Sequence, residues 1–289
     1  MNVQRYFTDY FREERDQFDL VMFDIDGTLV CGNRVLPGAR EVILQLKHDE
    51  FPFALLTNDG TRSSQQKAKL LGAIGLSVDG IDIVSCADAI GDYVQRHGYE
   101  GHKVFIMGEL GDPCYAERAS LETTRTHTEL SSCDGVIVGE ANYEWESTFN
   151  AVVNFFIRKQ EAFLLVPNPD TYWPTDRGEI NIGAGGKARF IADVLQEYGV
   201  LITPEYLGKP SSIIFHHALN HLCDRYQLDS KPSPQRILHV GDSLSSDIKG
   251  ANTMNFTSAL VLTGITKIEH LKCLDSIPSS KPDLVFEML

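Results

Sequence analysis

The sequence lacks the features that mark membrane-spanning, secreted and zinc-binding proteins. No apolar run within the 289 residues approaches the roughly 18 that a membrane-spanning helix needs. Residues 1–19 are polar and mixed in charge, so they lack the apolar core that signal peptides carry. The six cysteines are scattered, without a Cys-x-x-Cys pair or a zinc-like spacing. These absences favour a soluble, cytoplasmic protein with reduced thiols.

Positive charge is also scarce. Lys and Arg number 26 and Asp and Glu number 40, which gives a formal net charge of −14. Such a surface repels the phosphates of nucleic acids and the headgroups of anionic lipids, so we expect neither nucleic acid nor membrane as a partner. A small anionic substrate remains compatible with this charge if basic groups gather in one cleft.

No internal repeat and no low-complexity segment is visible, and the sequence instead alternates short apolar runs with amphipathic stretches. The apolar runs predict strands at residues 20–23, 51–56, 81–86, 237–240 and 258–262. The periodic stretches predict helices at residues 39–47 and 64–74. Buried runs alternating with helices are typical of a parallel sheet covered on both faces. The predicted fold class is therefore α/β, with a doubly wound, Rossmann-like parallel sheet.

The middle of the chain repeats this alternation on its own. Predicted strands lie at residues 104–107, 135–138 and 163–166, and predicted helices lie at residues 87–96, 145–159 and 186–198. We therefore expect a second α/β unit inserted into the first. No Pro-, Gly- or Ser-rich hinge marks its ends, so the motifs below decide where it begins and ends.

Two carboxylates stand two positions apart at the end of the first apolar run, in the stretch VMFDIDGTLV at residues 21–30. Because side chains alternate along a strand, Asp24 and Asp26 should share one face. Like charges that close are unfavourable in a partly buried site unless a cation or a proton compensates. Gly27 allows a sharp turn, and Thr28 adds a hydroxyl. Open α/β sheets bind ligands at the carboxyl ends of their strands, so this stretch is the first candidate site.

Thr57 and Asn58 end the second apolar run. A hydroxyl and an amide at that place can both hydrogen-bond a phosphoryl oxygen, although the same pair also suits a helix N-cap. Asp59 follows directly. We expect its negative charge to lower the affinity for a phosphate unless the carboxylate points away or meets a cation.

Two further motifs lie near the end of the chain. Lys209, in Gly-Lys-Pro before a predicted helix, offers a fixed ammonium that can neutralise a phosphate and keep a nucleophile ionised. Asp242 and Asp247 stand in the stretch GDSLSSD, which closes another apolar run. Hard oxygen ligands with few others suit Mg²⁺, so Mg²⁺ is the expected cofactor.

Together and in this order, the four motifs resemble those of the haloacid dehalogenase (HAD) superfamily. The resemblance implies that Asp24 attacks phosphorus to form an aspartyl-phosphate, while Asp26 protonates the leaving oxygen and then activates water. It implies that the Asp24 carboxylate, the Asp26 backbone carbonyl and Asp242 bind the metal. Asp247 then orients waters around the ion. Ion-pumping members carry Thr at the place of Asp26 and dehalogenating members lack the acid, so its presence favours a phosphatase or phosphomutase.

The position of the inserted unit indicates which branch of the superfamily the chain resembles. Only one helix fits between Asp26 and Thr57, so the insert belongs between Asn58 and Lys209. That position resembles the class IIA branch, which is NagD-like or p-nitrophenylphosphatase-like and carries an α/β (C2-type) cap domain. The predicted domains are an N-terminal extension at residues 1–18, a HAD catalytic core at residues 19–86 and 205–289, and a cap at residues 87–204.

In this branch the cap is expected to close the site, exclude water and recognise the leaving group. The glycine-rich run at residues 183–187 has no P-loop spacing and belongs to this cap. Trp173 and Arg177 are additional candidates for substrate contacts. The residues most expected to determine specificity are Asn168, Asp170, Gly185 and Lys187.

The predicted function is a Mg²⁺-dependent phosphatase that hydrolyses a small phosphorylated metabolite through an aspartyl-phosphate. The metabolite is of the sugar phosphate, nucleotide, phosphoglycolate or pyridoxal phosphate type. A phosphomutase is one alternative, although the superfamily's mutases carry a small helical cap between the first two motifs. A non-catalytic phospho-acceptor protein is another, since receiver-like domains also gather acids, a hydroxyl and a lysine around Mg²⁺. The expected partner is a small-molecule phosphate ester. Because NagD-like relatives often dimerise through the cap, a homodimer through the cap is a further expectation.

Overall fold

The computed structural model describes residues 3–141, 143–174 and 179–289, apart from the side chains of residues 273, 275 and 276. The chain divides into two compact units. Unit 1 comprises Met1–Thr57, Ser64–Val84 and Lys209–Leu289, and unit 2 comprises Asn58–Ser63 and Ser85–Gly208. No helix among the described residues is both long and apolar enough to cross a membrane.

The strands of the described chain are β1 Val3–Tyr6, β2 Leu20–Asp24, β3 Val30–Cys31, β4 Arg34–Val35, β5 Phe53–Thr57, β6 Ile83–Ser85, β7 Lys103–Met107, β8 Glu122–Thr124, β9 Gly135–Val138, β10 Phe163–Val166, β11 Tyr172–Pro174, β12 Ile180–Ile182, β13 Pro204–Tyr206, β14 Ile237–Gly241, β15 Thr257–Val261 and β16 Leu284–Met288. The α-helices are α1 Phe7–Glu14, α2 Ala39–His48, α3 Ser64–Ala73, α4 Ile90–His97, α5 Tyr115–Arg118, α6 Trp145–Arg158, α7 Ala184–Tyr198, α8 Ser212–Arg225 and α9 Lys249–Thr253.

Unit 1 is built on a seven-stranded sheet with the order β1-β16-β15-β14-β2-β5-β6. Each pair with a described register is parallel: β1–β16, β16–β15, β15–β14, β14–β2 and β2–β5. The three central strands β14, β2 and β5 are buried along their whole length, which explains why they read as continuous apolar runs. Their carboxyl ends carry Gly241, Asp24 and Thr57 side by side along one edge of the sheet.

Helix α2 shows how the local sequence produces the covering layer. Its buried residues Ala39, Val42, Ile43 and Leu46 follow the spacing of one helical face. Gly38 precedes the helix with a φ of +84°, a left-handed conformation that glycine adopts without steric cost.

The residues before Asp19 pack into unit 1. Strand β1 pairs with β16 at the edge of the sheet, and Phe7 and Phe11 of α1 are buried. The ring of Phe7 meets those of Phe23 and Phe286 edge-on, with centroids 5.6 and 5.4 Å apart. Residues 3–18, which belong to the predicted N-terminal extension, thus contribute an edge strand and a helix to unit 1, because their aromatic side chains complete that core.

Unit 2 has its own five-stranded sheet with the order β13-β10-β9-β7-β8, and its strands are parallel. Apolar side chains of α6 and α7 pack on this sheet in a separate hydrophobic core, among them Phe156, Ile191 and Leu195. The short hairpin β11–β12 is antiparallel and exposed. The strands and helices predicted for this part of the chain lie within a few residues of the observed ones.

Candidate active site

Asp24 lies at the carboxyl end of β2, in the middle of the unit 1 sheet. Lys209 Nζ donates a hydrogen bond of 2.5 Å to Asp24 Oδ1, and the Thr28 hydroxyl lies 3.4 Å from Asp24 Oδ2. The same ammonium donates to the Leu56 carbonyl at 3.3 Å. Asp24 and Lys209 are both buried, so a fixed positive charge faces one oxygen of the candidate nucleophile.

Asp242 follows β14 and packs against two glycines. The Ile265 N–H donates to Asp242 Oδ2 at 2.5 Å. Gly27 has a φ of +99°, and a Cβ there would lie 2.4 Å from Asp242 Oδ2, while a Cβ at Gly264 would lie 1.8 Å from it. Any side chain at either position would displace the carboxylate, so both glycines keep Asp242 in place.

Asp247 stands in a π-helical turn over Leu244–Ile248, a kind of turn that occurs often at functional sites. Its Oδ1 accepts a hydrogen bond from Lys209 Nζ at 2.8 Å and lies 3.2 Å from His239 Nε2. Its Oδ2 accepts from the Ser243 N–H at 3.1 Å. Asp247 is therefore held at both oxygens.

Asp24, Asp242 and Asp247 form one buried cluster, in which one oxygen from each lies within 4.8 Å of the others. The sequence interpretation gave Asp247 the more distant role of orienting waters, whereas the geometry groups its carboxylate directly with the other two. Three carboxylates face the single Lys209 ammonium, so the cluster carries excess negative charge. That donor set fits a divalent cation such as Mg²⁺, which prefers carboxylate oxygens.

The pKa values reflect this imbalance. Burial raises the pKa of Asp24 well above its ordinary value, and the Lys209 charge only partly opposes the rise. Burial and the neighbouring Asp247 charge raise the pKa of Asp242 to about 7. Burial acts in the same sense on Asp247, but the Lys209 ammonium and the His239 hydrogen bond outweigh it and lower the pKa of that carboxyl. A bound cation would supply the charge that protons on Asp24 and Asp242 otherwise provide.

Asp26 has a different setting. Its side chain is 58% exposed, and Lys67 Nζ of α3 donates to its Oδ2 at 2.8 Å. The Lys67 side chain is only 11% exposed, so its ammonium is directed at Asp26 along a buried stem. The sequence analysis missed Lys67, because a lysine on an amphipathic helix has no distinguishing pattern.

Thr57 and Asn58 fall on either side of the division between the units. Thr57 is buried at the end of β5 in unit 1. Within unit 2, Asn58 Nδ2 lies 3.2 Å from each carboxylate oxygen of Asp170. A Cβ at Gly208 would lie 2.5 Å from Asn58 Oδ1. The predicted phosphate-binding amide is thus oriented by a carboxylate that was predicted to determine specificity.

The Asp59 carboxylate forms hydrogen bonds with residues of its own loop. Its Oδ1 accepts hydrogen bonds from the Thr61 N–H at 3.0 Å and from the Thr61 hydroxyl. Its Oδ2 lies 3.2 Å from the Arg62 guanidinium. The carboxylate therefore meets a cation, which is the condition under which we expect little loss of phosphate affinity.

Two other predicted cap residues converge on Glu140 inside unit 2. Glu140 Oε1 accepts from Asn168 Nδ2 at 3.0 Å and from the Ala184 N–H at 2.9 Å, and Oε2 accepts from Lys187 Nζ at 3.0 Å. The Lys187 side chain is 3% exposed, and its ammonium lies 5.2 Å from the centre of the Tyr143 ring. Lys187 and Asn168 thus make internal contacts that brace α7.

The remaining cap candidates differ in their surroundings. A Cβ at Gly185 would lie 1.9 Å from the Pro169 carbonyl oxygen, so glycine there permits a close backbone approach. Trp173 is exposed on β11. Arg177 lies outside the described residues. Whether these residues contact substrate stays a prediction.

His239 is a second site residue that the sequence analysis missed. It is fully buried in β14, and burial lowers the pKa of its ring by disfavouring the charged form. The available signal was one polar residue within the apolar run at residues 237–240. Nothing in that run indicated that the ring would contact Asp247.

Both the sequence and the structure of this chain are similar to those of haloacid dehalogenase-like hydrolases. The profile of a family described as haloacid dehalogenase-like hydrolase matches residues 21–122, and one described as HAD-hydrolase-like matches residues 206–289. The ribonucleotide monophosphatase NagD of Escherichia coli K12 is 28% identical over 260 residues, which is 90% of this chain and 93% of NagD.

The structural similarities agree with the sequence comparison. The structure of E. coli NagD gives a TM-score of 0.76 at 26% identity, covering 94% of this chain and 96% of NagD. A possible sugar phosphatase of the HAD superfamily from Cytophaga hutchinsonii gives 0.81 at 25% identity, covering 100% and 98%. A glycerol phosphate phosphatase from Mycobacterium tuberculosis, solved with magnesium, gives 0.77 at 24% identity, covering 93% and 75%, and shows the shared fold.

Proposed function

This chain belongs to the haloacid dehalogenase-like hydrolases and is a phosphoric monoester hydrolase of their NagD-like branch, and we propose that it hydrolyses a small phosphorylated metabolite through an aspartyl-phosphate on Asp24. The family, predicted from the motifs, is confirmed. The α/β fold class with its inserted cap, predicted from the alternation of apolar runs with helices and from the spacing of the motifs, is confirmed as well. The covalent step, the residues that carry it and the kind of ester are our proposal.

One observation carries the proposal. Lys209 Nζ bonds Asp24 Oδ1 at 2.5 Å and Asp247 Oδ1 at 2.8 Å inside a buried cluster that also contains Asp242. A carboxylate at the end of a central strand is thereby oriented by a fixed ammonium. Such preorganised charge is what stabilises the extra negative charge of a transferring phosphoryl group.

The proposed reaction has two steps. In the first, an Asp24 carboxylate oxygen attacks phosphorus, the bond from phosphorus to the ester oxygen breaks, and the carboxyl of Asp26 gives its proton to the leaving oxygen. In the second, the Asp26 carboxylate takes a proton from water, whose oxygen attacks phosphorus. Inorganic phosphate then leaves, and the Asp24 carboxylate is regenerated.

Lys209, Thr57 and Asn58 are proposed to hold the phosphoryl oxygens. Lys209 carries the full positive charge, because Asp24 and Asp247 raise its pKa despite burial, which favours the neutral amine. Thr57 offers a hydroxyl at the end of β5, and Asn58 offers an amide oriented by Asp170. These three residues supply the donors that a dianionic phosphate requires.

Mg²⁺ is the proposed cofactor, held by the carboxylates of Asp24 and Asp242 and by the Asp26 backbone carbonyl, while the Asp247 carboxylate in the same cluster orients waters around the ion. When bound, it would neutralise negative charge on the phosphoryl group and on the carboxylate cluster. The three buried acids with one ammonium support this assignment. The magnesium complex of the M. tuberculosis phosphatase is consistent with it.

Related phosphatases narrow the proposed substrate to small esters. The names of the relatives include ribonucleotide, sugar and glycerol phosphate phosphatases. We therefore propose a phosphorylated sugar, polyol or nucleotide as the first group to test, with phosphoglycolate and pyridoxal phosphate as further members. We propose that unit 2, the inserted cap, determines which of these esters is hydrolysed.

Two predictions about the protein's surroundings accompany this function. The five cysteines with described side chains are unpaired, which fits a reducing, cytoplasmic compartment. A homodimer through the cap also stays a prediction.

The test is release of inorganic phosphate from a panel of small phosphate esters, with and without Mg²⁺. Wild type should release phosphate from at least one ester, and a chelator should abolish the release. Asp24→Asn should reduce turnover at least about 10³-fold, because the nucleophile is lost while its shape is kept. Asp229→Asn, which changes an exposed aspartate, serves as the matched control and should leave turnover unchanged.

The other outcomes would point elsewhere. Conversion of one phosphate isomer into another without phosphate release would indicate a phosphomutase. A phosphoryl-Asp24 that persists for hours would indicate a phospho-acceptor protein. Full turnover in Asp24→Asn would contradict the proposed aspartyl-phosphate mechanism.

A further inference from the structure

His239 occupies a position in β14 that an apolar residue would ordinarily fill. Its neighbours Leu238 and Val240 are buried apolar side chains, and His239 itself is fully buried. The ring of Phe215 meets its ring edge-on, with centroids 5.1 Å apart. A buried polar ring costs free energy unless it is hydrogen-bonded, so the contact at Nε2 offsets part of that cost.

That partner is Asp247. His239 Nε2 lies 3.2 Å from Asp247 Oδ1, and a carboxylate only accepts hydrogen bonds, so Nε2 carries the hydrogen. The other ring nitrogen, Nδ1, has no hydrogen-bond partner among the described residues. An apolar residue of similar size would avoid this orphan atom. Stability alone therefore does not explain a histidine at this place.

The contact matters because Asp247 lies between His239 and Lys209. Asp247 Oδ1 accepts hydrogen bonds from both His239 Nε2 and Lys209 Nζ, while Oδ2 accepts one from the Ser243 N–H. Donors on both oxygens fix the plane of the carboxylate. Lys209 in turn bonds Asp24 Oδ1, so the orientation of Asp247, together with the Leu56 carbonyl, helps to fix where the ammonium lies against Asp24.

We propose that His239 is a positioning residue that fixes the Asp247 carboxylate and, through it, the Lys209 ammonium and the carboxylate cluster. His239 acts only through Asp247. The effect on turnover rests on the proposed hydrolysis, whereas the effect on Mg²⁺ binding rests only on the carboxylate cluster as a cation site. Groups that surround a metal site and orient its ligands and waters typically change metal affinity or activity about 10–100-fold when removed.

Gln and Met form a matched pair for the test. The Gln amide nitrogen reaches about as far as His Nε2 and carries hydrogens, while Met has the same length and no donor. The experiment measures three quantities for wild type, His239→Gln and His239→Met. These are the Mg²⁺ dissociation constant by calorimetry, kcat and KM on the best ester of the panel, and the urea midpoint of the chelated protein.

We expect His239→Met to keep the wild-type urea midpoint while its Mg²⁺ dissociation constant rises and its kcat falls, each about tenfold or more. His239→Gln should recover most of both quantities. If His239→Met does not fold, His239→Leu replaces it in the same comparison.

Two results would overturn the inference. One is wild-type Mg²⁺ binding and kcat in the folded variant without a donor. The other is an equal loss in His239→Gln and His239→Met, which would show that the ring acts through packing. If wild type releases no phosphate from any ester, the proposed function fails. The Mg²⁺ comparison still decides the role of His239.

Discussion

The ammonium of Lys67 lies 2.8 Å from Asp26 Oδ2, so the carboxylate proposed to transfer protons is held by a lysine from α3. The Lys67 side chain is almost buried, whereas more than half of the Asp26 side chain is exposed. An exposed carboxylate without such a partner would sample several rotamers. Lys67 therefore limits the orientations from which Asp26 acts.

We expect Lys67→Met to lower kcat by roughly 3–30-fold, a part of the 10²–10⁴-fold that a positioned acid or base contributes. The loss should be larger for alkyl phosphates than for p-nitrophenyl phosphate, whose leaving group needs less protonation. Lys69→Met, at an exposed position of the same helix, is the control and should behave as wild type. Equal activity of Lys67→Met and wild type on both kinds of ester would show that the contact with Lys67 does not contribute to proton transfer by Asp26.

Removing divalent cations should make stability depend on pH in a defined direction. Asp242 has a pKa raised to about 7 in the folded protein, against 3.8 as its ordinary value. The folded state therefore binds more protons than the unfolded state between these values. The contribution of Asp242 to the free energy of unfolding is fully present below pH 3.8 and is lost as the pH rises through about 7.

Urea unfolding of the chelated protein from pH 5 to pH 8 measures this slope. One pKa unit corresponds to about 1.4 kcal/mol, so the fall should amount to a few times that value at most. Saturating Mg²⁺ should flatten the profile, because the cation replaces the protons. Asp242→Asn without Mg²⁺ should make the profile less steep than that of wild type, while Asp24 with its raised pKa still contributes. His239 opposes this slope below about pH 6.5, because its ring binds a proton more readily in the unfolded state. A chelated wild type whose stability falls no more steeply with pH than that of Asp242→Asn would therefore contradict the raised pKa of Asp242.

Asp170 should affect substrate binding through Asn58. Its carboxylate accepts hydrogen bonds from the Asn58 amide at 3.2 Å to each oxygen, and Asp170→Ala would remove these contacts. Hydrogen bonds to a charged group contribute about 1.5–3 kcal/mol, so KM should rise roughly tenfold or more, with a smaller change in kcat. Steady-state kinetics on one preferred ester measure both.

Asp193→Ala removes an exposed carboxylate from α7 and is the control for Asp170→Ala. An unchanged KM in Asp170→Ala would mean that Asn58 keeps its orientation without Asp170, or that it takes no part in phosphate binding. Asn58→Ala separates these two cases, since only the first predicts a raised KM in that variant.

Lys187 should contribute to stability more than to substrate choice. Its ammonium is buried against Glu140 Oε2 at 3.0 Å, and removing one partner of a buried ion pair costs about 3–5 kcal/mol. We expect Lys187→Met to lower the thermal midpoint while leaving the rank order of the esters unchanged. An altered ester preference at full stability would instead support the specificity role predicted from the sequence.

The sequence was informative wherever chemistry and apolar patterning coincide. Runs such as Gly135–Val138 and Phe163–Val166 are continuous and apolar because they are buried on both faces, and the observed strands have those limits. Edge strand β1 was missed because its partner β16 lies at the opposite end of the chain. No local pattern encodes such a pairing.

The same distinction applies to the site. Asp24, Lys209, Asp242 and Asp247 stand in motifs at strand ends and before a helix, and the fold brings them into one cluster. Lys67 and His239 have no motif, because their partners are chosen by tertiary packing. The role of Asp170 at Asn58 was hidden for the same reason, since the two residues are 112 positions apart.

The role of Asp24 as nucleophile is tested most directly by trapping the covalent intermediate. Asp26→Asn, incubated with Mg²⁺ and p-nitrophenyl phosphate and quenched in acid, should still form the intermediate, because this leaving group needs little protonation. The variant should slow water attack, so that the intermediate accumulates. Peptide mass spectrometry should then find a phosphoryl group on Asp24 and none in Asp24→Asn. A phosphoryl group on another residue, or undiminished turnover in Asp24→Asn, would contradict Asp24 as the nucleophile.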